Sequence, residues 1–298
     1  MVLYHTNCYI KKELINIQGR IIKVFSDRYK VKTEIGDVDC TARGIFKLTN
    51  SKPLVGDMVE IKDEHIVKVL PRKNAFIRPP ISNIDQIIIV VATTNPKPDL
   101  LLLDKQLIMA NKNNVEPIIC VNKIDLKENY DELVNVYENI GYQVITTDAK
   151  NRVGIEKLLL LLQNKITAFA GNSGVGKSAL TNNLIGKTVS EEGSTSEKLE
   201  RGKHTTKYVE LYEAAKNTYI ADTPGFSTYE VQNIDAKELK DYFLEFEKYE
   251  SACKYRGCMH VKEDDCGIKK AVQRKQIDAG RYERYVELYE KLREDKKW

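Results

Sequence analysis

Three short loop motifs occur in this chain in an order that one continuous α/β domain can carry only if its ends have been moved. Asn122-Lys123-Ile124-Asp125 reads N-K-x-D, a guanine-selecting pattern. Gly171 to Ser178 reads G-N-S-G-V-G-K-S, which fits the phosphate-binding pattern G-x-x-x-x-G-K-[ST]. Asp222-Thr223-Pro224-Gly225 reads D-x-x-G, an element that senses magnesium and a γ-phosphate. The usual order is phosphate loop, D-x-x-G, N-K-x-D; here N-K-x-D comes first. All parts of a guanine-nucleotide site are present in rotated order, the sequence mark of a circular permutation. Physics permits it, because such a site is a set of loops at the carboxyl edge of a parallel sheet, fixed in space and not in chain order. Domain termini usually lie close enough together to be joined while new ends open elsewhere.

The surroundings of the motifs are consistent with that. Ile166–Ala170 reads as a short buried strand before the phosphate loop, and Ala179–Ile185 as a helix after it. Ile87–Ala92 is a continuous, mostly β-branched run, expected of a strand buried on both faces. Pro117–Val121 delivers N-K-x-D at the carboxyl end of its own strand. The alternation of helical and strand patterns predicts an α/β doubly wound domain.

Each residue type has a chemical reason. Lys177 is expected to reach the β- and γ-phosphate oxygens as a cation, acting in both binding and catalysis. Backbone N–H groups of the segment that runs Gly171, Asn172, Ser173, Gly174, Val175, Gly176, Lys177, Ser178 and Ala179 cradle phosphates at a helix N-terminus. Ser178 is expected to ligate magnesium, with Asp222 on the same ion and Gly225 at the γ-phosphate. Asp125 can accept two hydrogen bonds from guanine, whereas adenine would leave its carboxylate unpaired. Asn122 holds the neighbouring loops, and Lys123 lies over the base. Thr147-Asp148-Ala149-Lys150 resembles an S/T-x-A-K loop whose backbone meets the guanine oxygen. Many related sites place a water-orienting glutamine just after D-x-x-G. Here that position is Phe226, which can do no such work. The loop Arg201-Gly202-Lys203-His204-Thr205-Thr206 supplies candidates instead: Thr205 or Thr206 for magnesium, and His204 for the attacking water. An ordinary exposed loop histidine is the bland alternative for His204.

Bulk properties narrow the class. With 298 residues, two domains are expected and three small ones are possible. No apolar run approaches the ~20 residues of a membrane span, and Lys11, Lys12 and Glu13 interrupt any signal-peptide pattern, so a cytoplasmic protein without membrane attachment is expected. The net charge of +4 is unevenly spread. Residues 1–81 hold 15 basic and 9 acidic side chains, while residues 82–228 hold 16 and 18 and residues 229–298 hold 16 of each. A basic small domain beside a nucleotidase suggests a nucleic-acid partner; a merely soluble basic domain is the alternative.

That N-terminal part alternates short apolar runs with turn residues. Candidate strands are 18–24, 29–33, 38–42, 58–62 and 66–70. Five short strands fit a small Greek-key barrel of the OB type, with an SH3-like barrel also open. Phe25, Tyr29 and Phe46 could stack on bases or simply pack. Residues 71–81 read as a linker. After Gly225 the chain becomes charged, with helical periodicity over 236–249 and 268–296, the latter carrying an excess of basic residues. Between these lies Cys253-x4-Cys258-x-His260-x5-Cys266, three of the six cysteines and one of the four histidines. Three thiols and an imidazole form a closed tetrahedral zinc set with no position left for water, so a structural staple is expected, with free thiols as the alternative.

This whole layout resembles one family, the circularly permuted, ribosome small subunit-dependent GTPase A, called RsgA or YjeQ. The resemblance covers essentially the full chain: OB-like barrel, permuted motif order, G-[RK]-H-T-T loop, hydrophobic residue after D-T-P-G, and cysteine cluster. It implies a late assembly factor that binds the small ribosomal subunit and its rRNA and hydrolyses GTP to GDP when stimulated by it, followed by release. It also implies His204 as the catalytic residue. The expected organisation is an OB-fold-like RNA-binding barrel over 1–70, a linker over 71–81, a circularly permuted GTPase domain over 82–228 and a helical zinc-binding domain over 229–298, in a monomer using Mg2+ with GTP. Two rival readings are a GTP-binding RNA chaperone and a permuted GTPase acting on the large subunit.

Overall fold

A computed structural model of the chain describes residues 17–42, 44, 46, 52–126, 128–189, 209–222 and 234–294. Five strands come first: β1 (Ile17–Phe25), β2 (Arg28–Thr33), β3 (Gly36–Ala42), β4 (Met58–Lys62) and β5 (His65–Val69). Their period-2 alternation turns Ile21, Val31, Val59, Ile61 and Ile66 into a closed core. β1, β2 and β3 form an antiparallel meander. β3 then pairs in parallel with β5, β5 with β4, and β4 returns to β1. This closure makes the barrel OB-like and removes the SH3-like alternative. Of the three candidate stacking aromatics, Tyr29 is 3% exposed and belongs to the barrel core, and Phe46 packs on that core. Only Phe25, at 58% exposure, offers a ring to solvent.

The segment expected to be a plain linker is folded. β6 (Ala75–Phe76) and β7 (Ile81–Ser82) pair antiparallel, with Phe76 and Ile81 buried. Beneath this hairpin lies Asp57, fully buried. It accepts two hydrogen bonds from Arg72 at 2.7 Å each, one from the Leu54 N–H at 2.8 Å and one from the Ser82 hydroxyl at 2.6 Å. One carboxylate thus ties the barrel, the connecting segment and β7 together.

The second sheet region is parallel where it matters. β8 (Gln86–Ala92) lies between β9 (Glu116–Asn122) and β11 (Ile166–Ala170); β10 (Gln143–Thr147) lies outside β9, and β13 (Thr218–Asp222) outside β11. These pairings are all parallel; β12 (Glu210–Ala215) adds antiparallel to β13. Helices α1 (Leu100–Lys112), α2 (Asp131–Ile140), α3 (Ile155–Leu162) and α4 (Lys177–Val189) cover the sheet. β8 is buried at every position because both faces are used: Ile87, Ile89 and Val91 pack with Leu103 and Leu107, while Ile88 and Val90 pack with Leu158 and Leu180. β12 would leave an open sheet edge, but β1 of the barrel meets it through the Lys23–Glu210 register pair. Ion pairs Lys23–Glu210 and Lys32–Glu213, both at 3.0 Å, reinforce the junction.

The C-terminal segment departs from its periodicity. Residues 236–249 form two tight 3-10 turns, Leu239–Tyr242 and Leu244–Phe246, leading into the single-turn helix α5 (Glu247–Glu250). The long helix expected over 268–296 is split into α6 (Gly267–Gln273) and α7 (Ala279–Glu294). The Gln276 N–H bonds the Ala271 carbonyl and the Lys275 N–H bonds that of Val272, with Lys275 left-handed at φ 60. This paired closure ends a helix, usually with glycine in the position Lys275 takes, so the break carries no compositional flag. Asp278 then accepts the Arg281 N–H at 2.8 Å and starts α7. None of the described helices is long and apolar enough to cross a membrane.

Candidate nucleotide site and metal cluster

Because β8, β9, β10, β11 and β13 run parallel, their carboxyl ends share one edge. The loops that follow them, 93–99, 122–126, 148–154 and 171–176, therefore meet regardless of chain order, and β13 ends there at Asp222. Asn122 is the hub. At 1% exposure it donates from Nδ2 to the Val175 carbonyl at 2.9 Å, and its Oδ1 accepts from the Thr147 hydroxyl at 3.0 Å and the Ala149 N–H at 3.2 Å. One side chain binds the base-side loops to the phosphate loop.

Two glycines make that approach possible. Gly176 has φ +102, and a Cβ there would lie 2.2 Å from Asn122 Nδ2. Gly171 has φ +124, and a Cβ would lie 2.2 Å from the Val90 carbonyl oxygen. Only glycine takes both the left-handed backbone and the contact. Between them Asn172 accepts the Ser173 N–H at 2.8 Å, Ser173 and Gly174 are exposed, and Val175 is buried as the loop's anchor. Lys177 opens α4 and donates to the Gly171 and Asn172 carbonyls at 2.8 and 2.7 Å. Burial lowers its ordinary pKa, so the ammonium gains from any anion offered at the loop mouth. Ser178 and Ala179, exposed in the first turn of α4, sit where helix N–H groups lack intrahelical partners.

On the base side, Lys123 is left-handed at φ 67, its Nζ donates to the Asn95 carbonyl, and its own carbonyl accepts the Thr93 hydroxyl at 2.9 Å. Asp125 lies half-buried in the 3-10 turn Ile124–Leu126, with no hydrogen-bond partner among the described residues. The following loop turns on Asp148, which accepts the Lys150 and Asn151 N–H groups at 2.9 and 3.0 Å. Ala149 is held from behind as well: its carbonyl accepts Asn183 Nδ2 at 2.6 Å. Asn183 on α4, like Thr93 and Asn95 in the loop after β8, was not marked by any motif; its role comes from a contact that no local spacing encodes. His204, Thr205, Thr206, Gly225 and Phe226 lie outside the described residues, as does the side chain of Asp222.

Cys253, Cys258, His260 and Cys266 converge, their ligand atoms all within 4.8 Å of one another. His260 Nδ1 is 3.6 Å from Cys253 Sγ and 3.3 Å from Cys266 Sγ, and those two sulfurs are 3.9 Å apart. A tetrahedral ion with metal–sulfur bonds of about 2.3 Å has sulfur–sulfur edges of about 3.8 Å, so the set fits one metal ion. Burial keeps the imidazole neutral by lowering its pKa, as ligation requires. Burial, reinforced by the neighbouring sulfurs, raises the Cys258 thiol well above its ordinary value, so the thiolate that ligates a metal would form here only against a cation. The ligand loop is held from outside. Glu263 accepts the N–H groups of Met259, Val261 and Lys262. Tyr282 and Tyr285 of α7 donate to the His260 and Met259 carbonyls at 2.7 Å.

Comparison with known proteins bears on this arrangement as a whole. A family model described as the RsgA GTPase matches residues 69–232, and one described as the RsgA N-terminal domain matches residues 18–67. A protein of Caldanaerobacter subterraneus subsp. tengcongensis, named small ribosomal subunit biogenesis GTPase RsgA, is 42% identical over 94% of this chain and 97% of its own length. The protein of that name from Clostridium beijerinckii is 44% identical over 94% and 99%. The chain belongs to the RsgA GTPase family. It is accordingly a GTP hydrolase. The crystal structure of YloQ, described as a circularly permuted GTPase, superposes with a TM-score of 0.80 at 33% identity, covering 98% of this chain and 99% of that one. YjeQ from Thermotoga maritima gives 0.79 at 36%, covering 93% and 99%. The rotated motif order thus belongs to the fold.

Proposed function

We propose that the chain hydrolyses GTP to GDP and phosphate as an assembly factor of the small ribosomal subunit, with turnover stimulated by that subunit and release governed by the bound nucleotide. The observation that carries the reading is the convergence of the N-K-x-D, T-D-A-K and phosphate loops on Asn122, in a chain 42% identical over nearly its whole length to a small-subunit biogenesis GTPase. Lys177 and the backbone from Gly171 to Ala179 hold the phosphates. Ser178 and Asp222, with Thr205 or Thr206, hold magnesium. Asp125 selects guanine, Lys123 and Ile124 shape the base pocket, and the Ala149 and Lys150 N–H groups face the guanine oxygen. Gly225 contacts the γ-phosphate, and His204 orients or deprotonates the attacking water. The metal of the cysteine cluster is structural zinc, for its thiol-rich donor set suits zinc and leaves no ligand position open.

The basic barrel, with Phe25 exposed, meets rRNA. The division 1–70, 71–81, 82–228 and 229–298 gives the barrel, connection, GTPase and zinc-binding parts, acting as a monomer in the cytoplasm. The test is the GTPase rate of the full chain with each purified ribosomal subunit. Stimulation by the small subunit alone is expected. Equal stimulation by the large subunit, or none by either, overturns the reading.

A further inference from the structure

No motif points to Asp104, yet its side chain is fully buried near the middle of α1. Arg281 Nη1 donates to its Oδ1 at 2.5 Å, Arg284 Nε to its Oδ2 at 2.5 Å, and the Tyr137 hydroxyl to Oδ1 at 2.6 Å. Arg281, itself 1% exposed, also donates to Glu245 from Nε at 2.5 Å and from Nη2 at 3.4 Å. Its guanidinium lies 4.7 Å from the Phe243 ring centre and 5.4 Å from that of Tyr137. Two cations and two carboxylates form an ionic knot of zero net charge, buried except for part of Arg284. Burial alone would lower the pKa of Arg281, but Asp104 and Glu245 raise it well above its ordinary value, so Arg281 keeps its proton. Asp104 belongs to the GTPase sheet's helix layer; Glu245, Arg281 and Arg284 belong to the metal-bearing segment.

An apolar contact would hold two such parts together at least as well. A charged knot differs in its intolerance of displacement, since a small slip leaves buried charges without partners. The helix that carries Asp104 also reaches the nucleotide site. Its cap Asp99 and its residues Leu102, Leu103 and Gln106 wall a cleft closed on the other side by Gly171 and Asn172 of the phosphate loop. At a rise of about 1.5 Å per residue, Asp104 is only about 3 Å along the axis from Leu102 and Gln106.

We propose that Arg281, acting through Asp104 and α1, is a positioning residue for the phosphate loop, so that the metal-bearing segment sets how firmly nucleotide is held. A partner that shifts this segment then alters nucleotide retention through a path that does not use D-x-x-G. The inference rests on reading the loops around Asn122 as a GTP site.

The test uses the full chain with its metal, following release of a fluorescent GDP analogue. Asp104→Asn and Arg281→Lys should each speed release about tenfold, within the usual range of coupling between sites. The double variant should be no faster than the faster single one, since both act at one contact. Tyr137→Phe also removes a hydrogen bond from Asp104 but leaves Arg281 in place. It should lower the melting temperature while release stays within about twofold of the wild type, inside the ordinary error of additivity. Wild-type release rates in both single variants overturn the proposal, as do additive effects in the double variant. Faster release in Tyr137→Phe equal to that in Arg281→Lys overturns it too, because the effect would be general loosening. A wild-type chain that fails to retain GDP against excess ATP sinks the GTP-site reading itself, and the proposal with it.

Discussion

Removing the Asn122 side chain tests the site where its loops meet. Asn122→Ala deletes the bond to the Val175 carbonyl at 2.9 Å and those from Thr147 and Ala149 at 3.0 and 3.2 Å. Each is worth about 1 kcal/mol net, so the set is worth about 3 kcal/mol, and the buried partners left behind add to the cost. If the whole of that appears in binding, nucleotide affinity falls by about 10²-fold, at about 1.4 kcal/mol per factor of ten. Some of it should appear instead as lower stability of the parallel-sheet part. GDP and GTP should weaken together, because Asn122 joins the base loops to the phosphate loop and makes no contact that depends on a γ-phosphate. Thr147→Val, which removes one of the three bonds, should weaken binding by about fivefold. Titration calorimetry with GDP and a non-hydrolysable GTP analogue, beside urea unfolding of each variant, separates the two contributions. Affinity within twofold of wild type at unchanged stability would refute the reasoning. So would loss of GTP binding with GDP binding intact.

Other substitutions probe the remaining parts. Asp57→Ala leaves Arg72 and Ser82 without their buried acceptor, and should destabilise the chain by about 3–5 kcal/mol in urea unfolding; a change under about 1 kcal/mol would mean the clamp holds nothing. Asp125→Asn should weaken GTP and gain xanthosine triphosphate, whose ring carbonyl suits an amide donor; competition binding reads this, and unchanged GTP preference would remove Asp125 from base selection. His204→Ala should leave GTP affinity within a few-fold yet lower subunit-stimulated kcat by about 10²-fold, the scale of a positioned acid–base group; unaltered kcat would make His204 an ordinary loop residue. The purified chain should carry one zinc per molecule by elemental analysis, and Cys258→Ser should lose it and weaken subunit binding more than nucleotide binding. Zinc-free wild type with an intact C-terminal segment would contradict the staple.

What could be read in advance has a common physical character. The phosphate loop and N-K-x-D are visible because their chemistry demands particular residue types at fixed, short spacing. Gly171 and Gly176 are where a side chain would strike backbone or Asn122. The cysteine cluster is visible for the same reason, its ligands being drawn from fourteen consecutive positions. Barrel strands emerge to within two residues because period-2 alternation is a local consequence of one buried face. The family resemblance, resting on motif order, reached further than any single pattern.

The three-dimensional contacts are of another kind. Asp57 finds Arg72 across 15 positions, Asn183 finds Ala149 across 34, and Arg281 finds Asp104 across 177. Every charged residue has many chemically suitable partners, and which one it meets depends on loop closure and core packing, neither of which leaves a mark at the residue itself. The break at Lys275 escaped for a related reason. A left-handed lysine with Ile277 drawn into the core interrupts a helix that the amphipathic pattern carries straight through. Residue chemistry over short spans therefore marked which loops form the candidate guanine-nucleotide site and which side chains form a set that can hold a metal. Only tertiary packing decided that Asn122 would join those loops, and that a buried arginine would link the segment carrying the cysteine cluster to the helix beside them.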